Sequence, residues 1–299
     1  MITVIGSVNM DLIASTTRLP EPGETVTGSD FATAPGGKGA NQALAARRAG
    51  AQVNMAGAVG DDAFAGQALA LLTEAGADLS RIRQIDGPTG TALILVGGDG
   101  ENMIAIIPGA NGQVTADDAR AAIADASPGD LVLLQMEIPE AAVRAALTAA
   151  REAGVTSLIN IAPLTDSVEH LAPMADIVIA NETEFARLSG RPAETLEAVR
   201  SELEALHAST GQCLIVTLGA AGVLYARDGA IGHVPSLKIT PVDTVGAGDT
   251  FCGYLAHGLD AGLSFDDAIR RAAVAGALAC LTPGAQPSIP VAADVEARL

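Results

Sequence analysis

The chain has 299 residues, 49% of them hydrophobic but only 2% aromatic, with no Trp, so it can bury a sizeable core built from Ala, Val, Leu and Ile. So few aromatic rings argue against stacking on nucleic-acid bases. A formal net charge of −18 repels DNA and anionic membranes, so any anionic ligand has to be held by local devices.

Short apolar runs alternate with Ala-rich helical patterns in chain order, the arrangement of βαβ units with a parallel sheet. Strands are predicted at "ITVIGSV", "QVNMAGAV", "DLVLLQM", "TSLINIA", "DIVIA" and "CLIVTLG", and helices over 40–49, 63–75, 115–126, 139–153 and 196–208. Gly50, Gly76, Gly154 and Gly211 stand where helix C-caps need a left-handed residue. Residues 12–35 and 88–108 break the rhythm with β-rich runs, "TALILVGG" and "NMIAIIPG", joined by the turn-like "GGDGE". They read as a small β-sheet lid inserted into a single unit spanning 1–299. After Gly246, beyond the strand-like "GHVPSLKITPV", the chain is predicted helical to its end, the second of two helices opening on the capping pair Ser264 and Asp267. The expected fold is α/β, a doubly wound, mostly parallel sheet flanked by helices, with a small β-sheet lid.

Cys213, Cys252 and Cys280 form no C-x-x-C pair and read as buried thiols in a reduced compartment. The histidines at 170, 207, 233 and 257 lack metal-ligand spacing. The first residues carry no basic leader, and no 18-residue apolar run occurs, so a cytoplasmic protein without membrane or nucleic-acid partners is expected.

The stretch "DTVGAGDTFCG" at 243–253 carries the clearest chemistry. Gly246 and Gly248 let backbone N–H groups approach a phosphate, and the helix that follows presents its positive dipole end there. Asp249 falls in the first helical turn, where it can cap the helix or accept a proton from an alcohol during phosphoryl transfer. Lys38, one of only two lysines, lies in a second glycine-rich stretch, "PGGKGANQ". Gly39 after Lys38 excludes a Walker A loop, and neither stretch has the spacing of a dinucleotide fingerprint.

"PGGKGANQALAARRAG" at 35–50 and "DTVGAGDTFCG", in this order and about 200 residues apart, resemble the two signature regions of the ribokinase-like, or PfkB, carbohydrate kinase family. "GSVNMD", "PEPGETVTG", "GDD", "QMEIP", "NETE", "TLGAAGV" and "GAQPSIP" extend the likeness over nearly the whole chain.

The resemblance implies ATP-dependent phosphorylation of the 5-hydroxyl of D-ribose, with 2-deoxyribose, fructose or adenosine as other acceptors in such a family and a non-catalytic sugar-binding protein as a further alternative. It implies that Asp249 is the base, with Gly246, Ala247 and Gly248 as the anion hole. Asn9, Asp11, Asn41, Glu137 and the turn of Gly37, Lys38 and Gly39 would hold the sugar. Asn181 and Glu184 would position phosphate and hydrated Mg²⁺, although the same spacing writes a helix capping box. Thr217, Gly219 and Gly222 would line ATP. Asp243 and Ser288, with the carbonyls of Val245, Ala279, Thr282 and Gly284, would surround K⁺, Val245 standing where the family often has Thr. An apolar lid sheet implies a homodimer.

Overall fold

The computed structural model describes residues 1–192 and 195–299. In chain order the elements are β1 (Ile2–Ile5), β2 (Asn9–Thr16), β3 (Gly28–Gly36), α1 (Lys38–Ala49), β4 (Val53–Gly60), α2 (Phe64–Ala68), α3 (Ala70–Glu74), β5 (Asp78–Ile85), β6 (Gly90–Val96) and β7 (Asn102–Ile107). There follow α4 (Ala116–Ile123), β8 (Leu131–Leu134), α5 (Glu140–Ala153), β9 (Thr156–Asn160), α6 (Val168–Leu171), β10 (Ile177–Asn181), α7 (Glu182–Ser189) and α8 (Leu196–Thr210). The chain closes with β11 (Cys213–Thr217), β12 (Val223–Arg227), β13 (Ala230–Val234), α9 (Ala247–Asp260), α10 (Phe265–Ala279) and α11 (Ala292–Glu296).

Nine strands form one sheet in the order β13-β12-β11-β10-β9-β8-β1-β4-β5. All neighbours are parallel except at the β11-β12-β13 edge, where the chain turns back through antiparallel hairpins. The inner parallel strands are buried and mostly apolar, β1 as ITVI and β8 as LVLL, because helices cover both faces. On one face α1, α9 and α10 pack over Ile2, Val4, Leu133 and Ile215. On the other, α4, α5 and α8 pack over Ile5, Val132, Leu134 and Val216. A separate four-stranded sheet, β3-β2-β6-β7, pairs β2 antiparallel with β3 and parallel with β6.

Local rules account for most of the boundaries. Left-handed glycines end α1, α5 and α8 at Gly50, Gly154 and Gly211, and Ser264 caps α10 by accepting the Asp267 N–H at 3.2 Å. Three expectations need correction. The helix predicted over 63–75 is two short helices meeting at Leu69. "GHVPSLKITPV" is a strand only as far as Val234, because Pro235 has no N–H to continue the ladder. β5 was absent from the sequence reading because "DLSRIRQI" is a half-exposed edge strand with polar residues on its open side.

The contact that matters most for the site is α1 against α9. Gly253 of α9 lies so close to α1 that an added Cβ would fall 2.5 Å from both the Ala45 Cβ and the Gln42 carbonyl oxygen, and 2.7 Å from the Ala46 nitrogen. Two of those atoms belong to a helix backbone and cannot swing aside. Gly253→Ala is therefore expected to lower stability by about 1–3 kcal/mol, as overpacking does. Thermal unfolding of the purified variant checks this; an unchanged midpoint would mean that the helices separate freely.

Candidate active site

The order of the large sheet reverses between β1 and β8: β4 and β5 lie to one side, β9 to β11 to the other. At such a point the loops beyond the strand ends diverge and leave a crevice. The carboxyl ends of β1 and β8 carry Ser7 and Glu137, and Ser7 Oγ donates to Glu137 Oε2 at 2.5 Å. The same carboxylate oxygen accepts the Lys38 N–H at 3.0 Å, and Ser7 Oγ accepts the Gly39 N–H at 3.2 Å. These bonds fasten the start of α1 to the strand ends. Gly37 has φ +88° and an added Cβ would lie 2.7 Å from the Asn9 nitrogen; at Gly39 it would lie 2.5 Å from the Ser7 nitrogen. Close approach of two backbones thus requires both glycines.

Asn9 is buried, its Oδ1 accepting from Asn111 Nδ2 at 2.7 Å, while Asn111 Oδ1 takes the Val8 N–H at 2.9 Å. Asp11 follows two residues later on the same face of β2. Its carboxyl is pushed up to about 6, first by burial and then by the charges of Glu137 and Asp249.

Asp249 is only 7% exposed. Its Oδ2 accepts from Asn41 Nδ2 at 2.9 Å and its Oδ1 from Gln42 Nε2 at 2.9 Å. The Lys38 ammonium is held above its usual range chiefly by the charge of Asp249, with Glu137 and Glu184 adding to it and burial opposing. Burial is the main reason the Glu184 carboxyl is raised, an effect that Lys38 opposes. Glu137, Glu184 and Asp249 therefore share one ammonium, while the charges of Glu137 and Asp249 also bear on Asp11.

A cavity of about 210 Å³ lies against Lys38, Glu184 and Asp249 and is also lined by Asn181, Thr217 and Gly248; Asn9, Asp11, Asn41 and Glu137 lie outside its lining. It adjoins a larger space of about 630 Å³ that shares Asn181, Thr217 and Gly248 with it and runs past Gly219 and Gly222 to apolar walls at Val223, Phe251 and Ala277. A polar chamber beside a longer apolar one can take a polyol and its phosphoryl donor end to end. A recess of about 460 Å³ around Asp176, Cys213 and Arg227 lies at the amino ends of β10 and β11, away from all of these groups.

The two glycines before Asp249 differ in their reasons. Gly246 has φ +77°, and an added Cβ would sit 2.9 Å from the Ala285 Cα, so the fold itself requires it. At Gly248 an added Cβ would meet nothing within 4 Å. The space it leaves belongs to the two cavities, where a ligand can approach the backbone. Ala247 begins α9 between them.

Asn181 and Glu184 form the capping box: Asn181 Oδ1 accepts the Glu184 N–H at 2.8 Å, and Glu184 Oε2 accepts the Asn181 N–H at 2.9 Å. Both also line the small cavity, so a structural role and a position at the site coexist. Gly222, with φ +95° and an added Cβ 2.1 Å from the Val234 carbonyl oxygen, is fixed by the β12-β13 hairpin.

The residues of the expected cation site gather behind the turn and do not line the Asp249 chamber. Asp243 Oδ1 accepts the Val245 N–H at 3.0 Å, and Oδ2 accepts the Gly284 N–H at 2.8 Å. Val242 donates to the Cys280 carbonyl at 2.8 Å, bringing the turn against the end of α10, where Ala279 is buried. Thr282 is exposed in the loop that follows, and Ser288 Oγ folds back to donate to Ala285 O at 2.8 Å. The Val245 side chain is exposed, so replacing the commoner Thr leaves this arrangement intact.

Sequence reading missed Ser7, Gln42, Asn111, Gln135 and Asn160, all buried within the site's hydrogen-bond network. A usable signal existed for Gln135, a polar residue directly after the apolar strand LVLL, and a weaker one for Asn160, which closes β9 after Leu158 and Ile159.

The pfkB family carbohydrate kinase model matches residues 1–292. The ribokinase of Lactococcus lactis is 38% identical over 299 residues, covering 100% of this chain and 96% of its own length. The deoxyribokinase of Salmonella typhimurium is 34% identical over 291 residues, covering 97% and 95%. The structure of Arabidopsis thaliana ribokinase complexed with ribose and ATP superposes with a TM-score of 0.89 at 32% identity, covering 99% of this chain and 97% of that one. With a match across nearly its full length and a buried carboxylate at the glycine turn, this chain belongs to the pfkB family of carbohydrate kinases.

Proposed function

We propose that the protein transfers the γ-phosphoryl group of ATP to the 5-hydroxyl of D-ribose, giving D-ribose 5-phosphate and ADP. The observation that carries this reading is the buried Asp249 carboxylate, which opens onto a polar chamber at the N-terminus of α9, beside a longer apolar cavity. The full-length likeness to ribokinases supports ribose as the acceptor.

Asn9, Asp11, Asn41, Glu137 and the 37–39 turn offer amides, carboxylates and backbone donors in fixed directions, which suits a furanose bearing several hydroxyls. Asp249 takes the proton of the 5-hydroxyl as that oxygen bonds to the γ-phosphorus, and the bond to the β-phosphate oxygen breaks to release ADP. The N–H groups of the 246–248 turn and the Lys38 ammonium receive the charge on the transferred group. Thr217, Gly219 and Gly222 border the cavity for the nucleotide, whose apolar walls suit adenine.

Three carboxylates around one lysine, with Asp11 close to two of them, make the chamber hostile to a triphosphate without added cations. Hydrated Mg²⁺, held through water by Glu184 and Asn181, would neutralise the β- and γ-oxygens. The Asp243 carboxylate, the Ser288 hydroxyl and the carbonyls of Val245, Ala279, Thr282 and Gly284 form a set of hard oxygens suited to K⁺, which would stiffen the anion-hole turn. The β3-β2-β6-β7 sheet would act as a lid that excludes water, since Asp11 stands on it. On the face opposite Asp11, strand register groups the exposed Phe31, Leu93, Met103 and Ile107. An apolar sheet of this kind supports a homodimer through the lid. A cytoplasmic location is part of the reading, supported by three free cysteines among the described residues.

A coupled ADP-release assay over D-ribose, 2-deoxyribose and fructose, with and without K⁺, tests the activity: ribose should give the highest kcat/KM, and K⁺ should raise it. Preference for 2-deoxyribose would move the reading to its deoxyribokinase relatives, and indifference to K⁺, Rb⁺ and Cs⁺ would remove the cation site. Asp249→Asn should lower kcat by about 10²- to 10⁴-fold, as loss of a general base does, with ribose binding by calorimetry retained; near-normal turnover would refute the assignment. Because Asp11 holds its proton more tightly in the folded chain (about 6) than at its ordinary 3.8, stability falls as pH rises from about 4 to 6 and stays reduced above that. Asp11→Asn should therefore unfold at a higher temperature than the parent at pH 8 but not at pH 4, while raising the KM for ribose. A variant no more stable at pH 8 would show that the crowded carboxylates do not repel.

A further inference from the structure

We propose that Gln42 is the residue that positions Asp249 for proton transfer. This rests on Asp249 being the base, but it concerns a side chain to which the sugar and nucleotide assignments give no role. Gln42 is fully buried in α1. One amide hydrogen of its Nε2 goes to Asp249 Oδ1 at 2.9 Å and the other to Asn160 Oδ1 at 3.2 Å. Its own Oε1 accepts from Gln135 Nε2 at 2.7 Å. Asn160 Nδ2 donates in turn to the Ile179 carbonyl at 3.3 Å.

An ionised carboxylate can only accept hydrogen bonds, so Asp249 dictates which end of Gln42 faces it. That choice turns the Gln42 carbonyl towards Gln135 and forces Gln135 to present its nitrogen. The Gln135 carbonyl oxygen is then left buried without a partner, packed where a Cβ on Gly6 would fall at 2.0 Å. Donation thus runs from Gln135 after β8 through Gln42 to the base, with a branch from Gln42 to Asn160 at the end of β9 and on to the Ile179 carbonyl. The strain is carried at Gln135, where the chain that ends on the carboxylate begins.

The consequence is geometric. Asn41 and Gln42 each occupy one oxygen of Asp249, which fixes the carboxylate plane against α1 and leaves its other lone pairs for an incoming hydroxyl. Asn41 is itself a proposed sugar contact and is free to change partners when sugar binds. Gln42 is fully buried with both amide hydrogens already donated, to Asp249 and Asn160, so it holds the base through the whole cycle. Each bond it makes is to a strand end or to the base.

The test is Gln42→Met, which keeps length and removes both donors. Turnover should fall by about 10- to 100-fold, the range for losing one hydrogen bond to a charged group, while KM for ribose and ATP stays close to that of the parent. Losing a donor also disfavours the ionised base, so the acid limb of the kcat–pH profile should move to higher pH. The other groups facing Asp249, namely Lys38 on α1, Glu184 on α7, Asp11 on β2, Glu137 after β8 and Cys252 on its own helix, are unchanged in the variant. Parental kcat with an unmoved limb would overturn the proposal. If Gln42→Met does not fold, Gln135→Met, which frees only the Gln42 carbonyl, should shift the limb in the same direction with a smaller loss of kcat, and a parental Gln135→Met enzyme then overturns it. Asp249→Asn run alongside separates the two levels: if it is inactive and Gln42→Met is parental, only the positioning role fails, whereas turnover by Asp249→Asn overturns both.

Discussion

A carboxylate withdrawn from water destabilises a fold by several kcal/mol unless partners replace its hydration, and the whole site is arranged around meeting that demand at Asp249. Two side-chain amides from consecutive residues of α1 reach its two oxygens. They can do so only because α1 and α9 touch at Gly253, where no side chain keeps the helix backbones apart. The helix contact, the buried charge and the amide network are one construction, and loosening any of them exposes or orphans the others.

The same construction explains the distribution of charge. Asp249 holds the Lys38 ammonium in its protonated state, and burial together with the charges of Glu137 and Asp249 raises the Asp11 carboxyl, so the chamber is electrostatically strained in favour of cations. An acidic protein with a formal charge of −18 can accept a triphosphate when that strain is relieved locally by bound cations and by the amide dipoles at the start of α9. Crowding of like charges at Asp11 lowers the stability of the folded chain above about pH 6, a cost common to sites built for charged ligands.

How much of this was legible beforehand can be judged from particular residues. The parallel strands could be read because burial on both faces leaves continuous apolar runs, as in "DLVLLQM". β5 could not, since an edge strand with one open side reads as polar loop. The glycine turn before Asp249 pointed to phosphate from its spacing alone, yet spacing could not separate Gly246, which the backbone requires, from Gly248, whose missing side chain leaves room for a ligand. For Asn181 and Glu184 the two competing interpretations both hold, because a capping box and a cavity wall occupy the same place.

The elements and the available chemistry are written along the chain: alternating apolar and Ala-rich segments specify a wound sheet, and two glycine-rich stretches with one Lys and one Asp supply the means to handle phosphate. These are local properties, written in periodicity and in the dihedral freedom of single residues. It takes the packed fold to make Asn41 and Gln42, more than two hundred residues before Asp249, its partners and to set Gln135 and Asn160 behind them. Those contacts are set by which helix lies on which strand ends, and the packing of β1, β8, α1 and α9 arises from the chain as a whole, which no short window of residues contains.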